Sequence, residues 1–134
     1  MPPDHVELVE SAFDAWNRGD IEAFAGHVAE NVAWLEVSGR PEGAPLERLG
    51  RERLRQSLES LFDVWESYRL DVERLEDLGD RVLAVVREVG RGRASGVEVE
   101  GLRGYLITVE DGLIARIEAY RDAALALQAA GARG

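Results

Sequence analysis

Residues 102–122 read LRGYLITVEDGLIARIEAYRD, two runs of alternating apolar and polar residues on either side of an Asp-Gly pair. Asp-Gly is a preferred sequence for a two-residue turn between antiparallel strands. The stretch therefore predicts a β-hairpin. Since side chains alternate between the two faces of a strand, one face of this hairpin should be apolar and the other should carry charged and aromatic residues.

Counting outward from the turn predicts which residues of the hairpin lie opposite each other, because the two strands separate by one residue at a time on each side. The count places Tyr105 opposite Glu118 and Arg103 opposite Tyr120. The predicted polar face collects Arg103, Tyr105, Arg116, Glu118, Tyr120 and Asp122. The opposite predicted face is small or apolar: Leu102, Gly104, Leu106, Thr108, Leu113, Ala115, Ile117 and Ala119.

Periodicity alone leaves two assignments of these faces open. In the first, the apolar face packs against helices and the polar face is solvated, which is the usual position of charges on a strand. In the second, helices cover the polar face only in part and leave a pocket lined by polar groups. The apolar face then meets another subunit.

The rest of the chain changes from helical to extended patterns. Apolar residues at steps of three and four predict helices at about 4–19, 20–28 and 51–68. A strand is predicted at 32–37, a loop at 38–50, and four strands from residue 70 onward, with a short helical turn near the end. This order predicts one α+β domain over residues 1–134, in which three N-terminal helices pack on a curved, mainly antiparallel sheet.

Composition restricts the classes of partner. The chain of 134 residues has a formal net charge of -10 and no cysteine. Nucleic acids and anionic membranes are bound through clustered lysine and arginine, so neither is an expected partner. Without cysteine, and with two histidines, a metal site is not expected. No apolar run approaches the roughly 20 residues of a membrane span. We therefore expect a cytoplasmic protein that uses no cofactor.

Four segments, taken in order, resemble the SnoaL-like branch of the nuclear-transport-factor-2-like (NTF2-like) superfamily. They are AWNRGD at 15–20, VAWLE at 32–36, GRERLRQSL at 50–58 and VEDGLIARIEAYRD at 109–122. The resemblance implies a cone of curved sheet and three helices around a pocket, with a homodimer formed through the outer face of the sheet. It therefore favours the second assignment of the hairpin faces.

The resemblance also implies candidate catalytic residues. Glu36 matches the general-base aspartate of the ketosteroid isomerases, and Asp122 matches an aspartate used by polyketide cyclases and limonene epoxide hydrolases. Arg103 stands where the isomerases have a protonated aspartate, and Ala12 replaces their oxyanion-hole tyrosine, so steroid isomerisation is not expected. The histidine of the cyclases and the second aspartate of the hydrolases have no counterpart. Glu36, Asp122 and Arg103 remain the candidate catalytic residues.

The predicted faces and the resemblance together suggest the ligand-binding residues. These are Trp16, Phe62, Trp65, Val85, Arg87, Tyr105, Glu118 and Tyr120. Leu83 and Val89 join Val85 and Arg87 on one predicted wall. A structural interpretation competes with each assignment, since tryptophans at helical spacing fill cores and tyrosines in sheets often only pack. Glu118 can equally form an ion network with Arg87 or Arg103.

Three functions are compatible with these residues. The leading hypothesis is a homodimeric, cofactor-free domain that binds a small, mainly apolar molecule with a carbonyl or carboxylate group. The second is an isomerase, polyketide cyclase-like or epoxide hydrolase-like enzyme, in which Asp122 or Glu36 acts as base and Arg103 or Tyr105 as oxyanion partner. The third is a dimerisation or interaction module without a ligand.

Overall fold

The order of helices and strands confirms the predicted α+β class. The computed structural model describes residues 4–37 and 46–131. Its elements are α1 (His5–Asn17), α2 (Ile21–Ala25), β1 (Val28–Glu36), β2 (Leu46–Leu49), α3 (Arg51–Val64), β3 (Trp65–Asp77), β4 (Arg81–Gly92), β5 (Glu98–Glu110), β6 (Leu113–Tyr120) and α4 (Ala123–Gly131). One sheet has the strand order β2-β1-β6-β5-β4-β3. The β1–β6 pair is parallel and the other neighbours are antiparallel.

A local signal sets the start of α1, and a contact with β3 holds its end. The carboxylate of Asp4 accepts a hydrogen bond from the Glu7 N–H at 2.8 Å, and the Glu7 side chain bonds back to the Asp4 N–H. This capping box satisfies N–H groups that the first turn leaves without partners. At the end of the helix, the side-chain oxygen of Asn17 accepts a hydrogen bond from the Leu70 N–H at 2.8 Å, and its amide nitrogen donates one to the Leu70 carbonyl at 3.0 Å. The end of α1 is thereby attached to β3.

Two helices are shorter than their periodicity predicts. The second ends at Ala25, because Val28 already pairs with Ile114 of β6. The third ends at Val64, because Trp65 and the residues after it pair with β4.

The pairing beyond α3 depends on glycine. A Cβ on Gly90 would lie 3.0 Å from the Tyr68 ring and 3.3 Å from the Trp65 ring. A larger residue in β4 would exclude these rings, so tertiary packing overrides the helical pattern here. Within the predicted loop, Leu46–Leu49 forms β2, and positions 38–45 lie outside the described residues.

The hairpin turn is confirmed, but the predicted register is wrong beyond its first two pairs. Asp111 and Gly112 have φ angles of 53° and 77°, as the predicted turn requires. Val109 pairs with Ile114, but Thr108 then pairs with Arg116, which leaves Ala115 as an extra residue in β6. A bulge of one residue shifts every later side chain of the strand to the opposite face.

The bulge separates the residues that were predicted to share a face. Tyr105 lies opposite Ala119, and Tyr120 lies opposite Gly104. Tyr105, Ile107, Ile117 and Ala119 belong to the main core under the helices. Tyr120 and Leu106 belong to a second apolar cluster on the outer face. Of the predicted polar face, Arg103 and Tyr105 point inward, whereas Glu118 and Tyr120 point outward.

Helix α4 covers this outer cluster. Its Ala126 is fully buried against Leu83, Leu106 and Tyr120. The sheet is therefore packed on both sides around β5. None of the helices in the described part of the chain is long and apolar enough to cross a membrane.

The contact between α4 and β5 requires a glycine at position 104, which gives a test of the packing. A Cβ added there would lie 2.3 Å from the Cβ of Ala126 and 3.4 Å from the Cα of Ala123. Gly104→Ala is therefore expected to lower the free energy of unfolding by about 1–3 kcal/mol, as overpacking does. Urea denaturation measures this change.

Gly101→Ala is the matched control, because a Cβ on that glycine of the same strand meets nothing within 4 Å. It should change the stability by less than about 0.5 kcal/mol. Equal losses in the two variants would contradict the packing of α4 on Gly104.

Candidate functional site

A pocket opens between α1, α3 and the inner face of the sheet. Its volume is about 130 Å³, and it is lined by Trp16, Trp34, Glu36, Leu54, Ser57, Leu58, Leu61, Tyr68, Arg103 and Tyr105. A water molecule occupies roughly 30 Å³ in the liquid, so this open pocket holds about four waters or the ring of a small organic molecule. Below it, side chains close the rest of the interior, leaving a void of about 20 Å³.

Aromatic rings form one side of the pocket. Trp16 and Trp34 stack with an interplanar angle of 18° and a centroid distance of 6.1 Å. Tyr105 meets Trp34 edge-on at 5.9 Å, and Tyr68 is tilted against Trp16 at 6.1 Å. Such contacts stabilise aromatic pairs beyond the area that they bury. The pocket therefore has a wall of packed aromatic rings.

The other side of the pocket is built around the guanidinium of Arg103. Its two Nη atoms donate to an Oε2 atom of Glu36 at 3.4 Å and of Glu88 at 3.5 Å. These three side chains are 18%, 24% and 22% exposed, respectively. Because they are mostly removed from water, each charge depends on its partners for compensation. The guanidinium also lies 5.6 Å from the centroid of the Tyr105 ring.

Two further donors extend this group of charges. The indole N–H of Trp34 donates to Oε1 of Glu36 at 3.1 Å, and the hydroxyl of Tyr68 donates to Glu88. We call Glu36, Arg103, Glu88 and Tyr68 the polar strip. Its members come from β1, β5, β4 and β3 in that order. In β6, the strand between β1 and β5, Ala119 pairs with both Glu36 and Tyr105. Its small side chain leaves room for Glu36 to reach Arg103.

Both tyrosines of the pocket keep their protons at physiological pH. Burial raises the pKa of Tyr105 to about 12. The charge of Arg103 acts against burial, and the charges of Glu36 and Glu88 act with it. Burial also raises the pKa of Tyr68, with contributions from Tyr105 and from the hydrogen bond to Glu88. A neutral hydroxyl can donate a hydrogen bond, so these residues present uncharged donors.

Four of the predicted site residues lie together in this pocket: Trp16, Glu36, Arg103 and Tyr105. Phe62 and Trp65 instead line an open groove that shares Trp16 and Tyr68 with the pocket. The groove contains neither Arg103 nor Glu36. The aromatic residues that were predicted as one group therefore line two neighbouring surfaces.

The other predicted residues lie on the outer side of the sheet. Leu83 packs under α4, and Val85 pairs with Gly104. Arg87 pairs with Glu73 at 3.0 Å and Glu100 at 3.4 Å. Their predicted placement on a pocket wall is wrong, because the inward positions of β4 are Val82, Ala84, Val86 and Glu88.

The last strand and its end are likewise on the outside. Glu118 pairs with Arg81 at 3.6 Å and Arg116 at 3.8 Å, so the predicted network with Arg87 or Arg103 is wrong. Tyr120 is buried under α4. Asp122 is exposed, and its Oδ1 accepts a hydrogen bond from the Ala124 N–H at 2.7 Å at the start of that helix. The bulge at Ala115 accounts for these positions, since it reverses the faces of β6.

Four residues of the site were not predicted from the sequence: Glu88, Tyr68, Trp34 and Ser57. Glu88 lies in REV, where charges fall on both faces of the strand, so alternation does not indicate which one points inward. Tyr68 was assigned to the end of α3, and Ser57 lies at the edge of the apolar side of that helix. Only the helical spacing of Ser57 from Leu54 and Leu61 could have indicated that it lies near the sheet.

The raised pKa of Tyr105 predicts a loss of stability in alkali. The unfolded chain releases this proton at about pH 10, whereas the folded protein keeps it until about pH 12. Between these values the unfolded state binds fewer protons, so stability falls as the pH rises. Urea midpoints measured from pH 9 to 12 should show this fall. In Tyr105→Phe the free energy of unfolding should fall less steeply over this range, by about 1.4 kcal/mol per pH unit. An unchanged slope in the variant would contradict the assignment to Tyr105.

Comparisons with known proteins agree with this architecture. An NTF2-like protein from Burkholderia thailandensis is 26% identical, with 92% of this chain and 95% of that chain covered and a TM-score of 0.75. A protein from Xanthomonas campestris, proposed to be a polyketide cyclase, is 27% identical, with coverages of 92% and 90% and a TM-score of 0.69. An LEH-like epoxide hydrolase from M. tuberculosis is 16% identical, with coverages of 96% and 90% and a TM-score of 0.74. Its likeness concerns the fold alone.

No curated protein matches this sequence. The SnoaL-like domain family matches residues 9–117, which is most of the chain. The resemblance noted in the sequence and the NTF2-like cone are thereby confirmed, and the chain belongs to the SnoaL-like domain family.

Proposed function

We propose that this protein binds a small, mainly apolar molecule with a carbonyl or hydroxyl group in the pocket between α1, α3 and the sheet. The observation that carries the proposal is the contrast between the two sides of an open space of about 130 Å³. The rings of Trp16, Trp34 and Tyr105 form one side, and Arg103, Glu36 and the hydroxyl of Tyr68 form the other. A mostly apolar pocket with a few fixed polar groups is typical of sites for small molecules.

The contacts of the carboxylates favour binding over catalysis. A general base needs an oxygen within hydrogen-bonding reach of the proton that it removes. Glu36 accepts from Trp34 and Arg103, and Glu88 accepts from Tyr68 and Arg103. Asp122 caps α4 away from the pocket. Among the described residues of this pocket, neither carboxylate is therefore assigned as a base for the cyclase and epoxide hydrolase reactions named for structural neighbours.

The proposal is tested by filling the pocket. Ser57 is a small, half-buried residue of α3 at the pocket wall. In Ser57→Phe the new ring occupies the space of the ligand, so binding of an uncharged two-ring ketone such as 2-acetonaphthone should weaken at least about tenfold. Quenching of tryptophan fluorescence measures this, because two of the tryptophans line the pocket.

Gln56→Phe is the matched control, since it adds the same ring one residue earlier on the exposed side of α3. It should leave the affinity for 2-acetonaphthone unchanged. If the folded wild-type protein fails to bind uncharged two-ring ketones, or if both variants bind as the wild type does, the proposed site is wrong.

We also propose that the protein is a homodimer whose interface includes α4. The helix AALALQAAG carries no charge, and its Leu125 and Leu127 are 38% and 39% exposed. In a chain with a net charge of -10, an uncharged surface is where a second copy meets the least repulsion. Sedimentation equilibrium should give the mass of a dimer for the wild type and of a monomer for Leu127→Glu. A monomeric wild type would contradict this proposal without affecting the pocket.

A further inference from the structure

We infer that the pocket selects uncharged carbonyl compounds and rejects the corresponding carboxylic acids, and that Glu88 is the residue that determines this selectivity. The inference rests on the proposed function and specifies the class of its ligand. From the sequence, the ligand was expected to carry either a carbonyl or a carboxylate group, and the inference retains only the carbonyl. The reason lies in the partners of Arg103.

An arginine in an apolar pocket is by itself a site for a carboxylate. Its N–H groups form a planar fork that fits the two oxygens of an acid. In this pocket both Nη atoms of Arg103 already point to protein carboxylates, at 3.4 Å from Glu36 and 3.5 Å from Glu88. The charge that would attract an acid is therefore balanced within the protein.

An incoming acid would add a negative charge beside the two that are already present. All three side chains of this ion-pair group are less than one quarter exposed. Solvent therefore screens the repulsion only weakly. An uncharged carbonyl oxygen adds no such charge. It can accept a hydrogen bond from a neutral hydroxyl, and Ser57 and Tyr105 line the same pocket.

Glu88 has the clearest role in this balance. One of its oxygens, Oε2, accepts hydrogen bonds from both Tyr68 and Arg103. Removing its charge leaves one Nη atom of Arg103 without its acid partner and leaves the Tyr68 hydroxyl with a weaker acceptor. Glu88→Gln keeps the shape of the side chain and a carbonyl acceptor. The variant should therefore turn Arg103 towards an acidic ligand without enlarging the pocket.

The test compares 2-acetonaphthone with 2-naphthoate at pH 7.5. The two probes have the same number of non-hydrogen atoms and differ by a methyl group in place of an ionised oxygen. The wild-type protein should bind the ketone at least about tenfold more tightly than the acid, since the acid meets the carboxylates of the strip. In Glu88→Gln the acid should bind about tenfold more tightly than it does to the wild type. The affinity of Glu88→Gln for the ketone should stay within about threefold of the wild-type value.

Glu100→Gln is the control for removing a carboxylate from an arginine. Glu100 pairs with Arg87 at 3.4 Å on the outer face of the sheet. Its replacement changes the total charge by the same amount, but the ratio of the two affinities should remain that of the wild type. Near-ultraviolet circular dichroism checks that each variant is folded, and Glu36→Gln replaces Glu88→Gln if the latter is not.

The outcomes separate the inference from the proposed function. Ketone binding to the wild type together with equal or tighter binding of the acid would overturn the inference and leave the proposed function intact. An affinity ratio that Glu88→Gln leaves unchanged, or that Glu36→Gln leaves unchanged where it replaces that variant, would also overturn it. If the folded wild type binds neither probe, the proposed function fails and the inference fails with it.

Discussion

The site depends on one extra residue in β6. Because Ala115 is bulged, the strand after it presents Ile117 and Ala119 to the core and Glu118 and Tyr120 to the outside. Without the bulge, two bulky polar residues would replace small and apolar ones under the helices. A bulge is an ordinary way to redirect side chains near a functional site. Because of this bulge, Arg103 and Tyr105 point to the interior, whereas Glu118 and Tyr120 point outward.

Once Arg103 points inward, the rest of the polar strip follows from the cost of burying its charge. A guanidinium that is 18% exposed needs compensating carboxylates. They come from Glu36 of β1 and Glu88 of β4, strands on opposite sides of Arg103 in the sheet. The same compensation is the basis of the proposed ligand preference. A balanced arginine attracts acids weakly, and a carboxylate bonded to arginine has fewer lone pairs left for a substrate.

The outer side of the sheet has its own packing. Helix α4 covers Leu83, Leu106 and Tyr120 and lies close to Gly104, the glycine between Arg103 and Tyr105. Arg103 and Tyr105, which line the pocket, are therefore separated along β5 by Gly104, where α4 leaves no room for a side chain. Since successive residues of a strand serve opposite faces, the pocket and the α4 contact constrain the same short stretch of β5 from both sides.

Signals that act over a few residues were readable in the sequence. The capping box of α1 and the Asp111-Gly112 turn each depend on neighbours within four positions. The order of helices and strands, and the family resemblance, followed from such segments. Trp16, Glu36, Arg103 and Tyr105, which the sequence suggested as site residues, line one pocket. The tertiary structure decided the bulge at Ala115, the inward direction of Glu88, the start of β3 at Trp65 and the packing of α4 on the outer face of the sheet. Each depends on which residue lies opposite in another strand or on another face, and the pattern of a single segment contains no record of its partner.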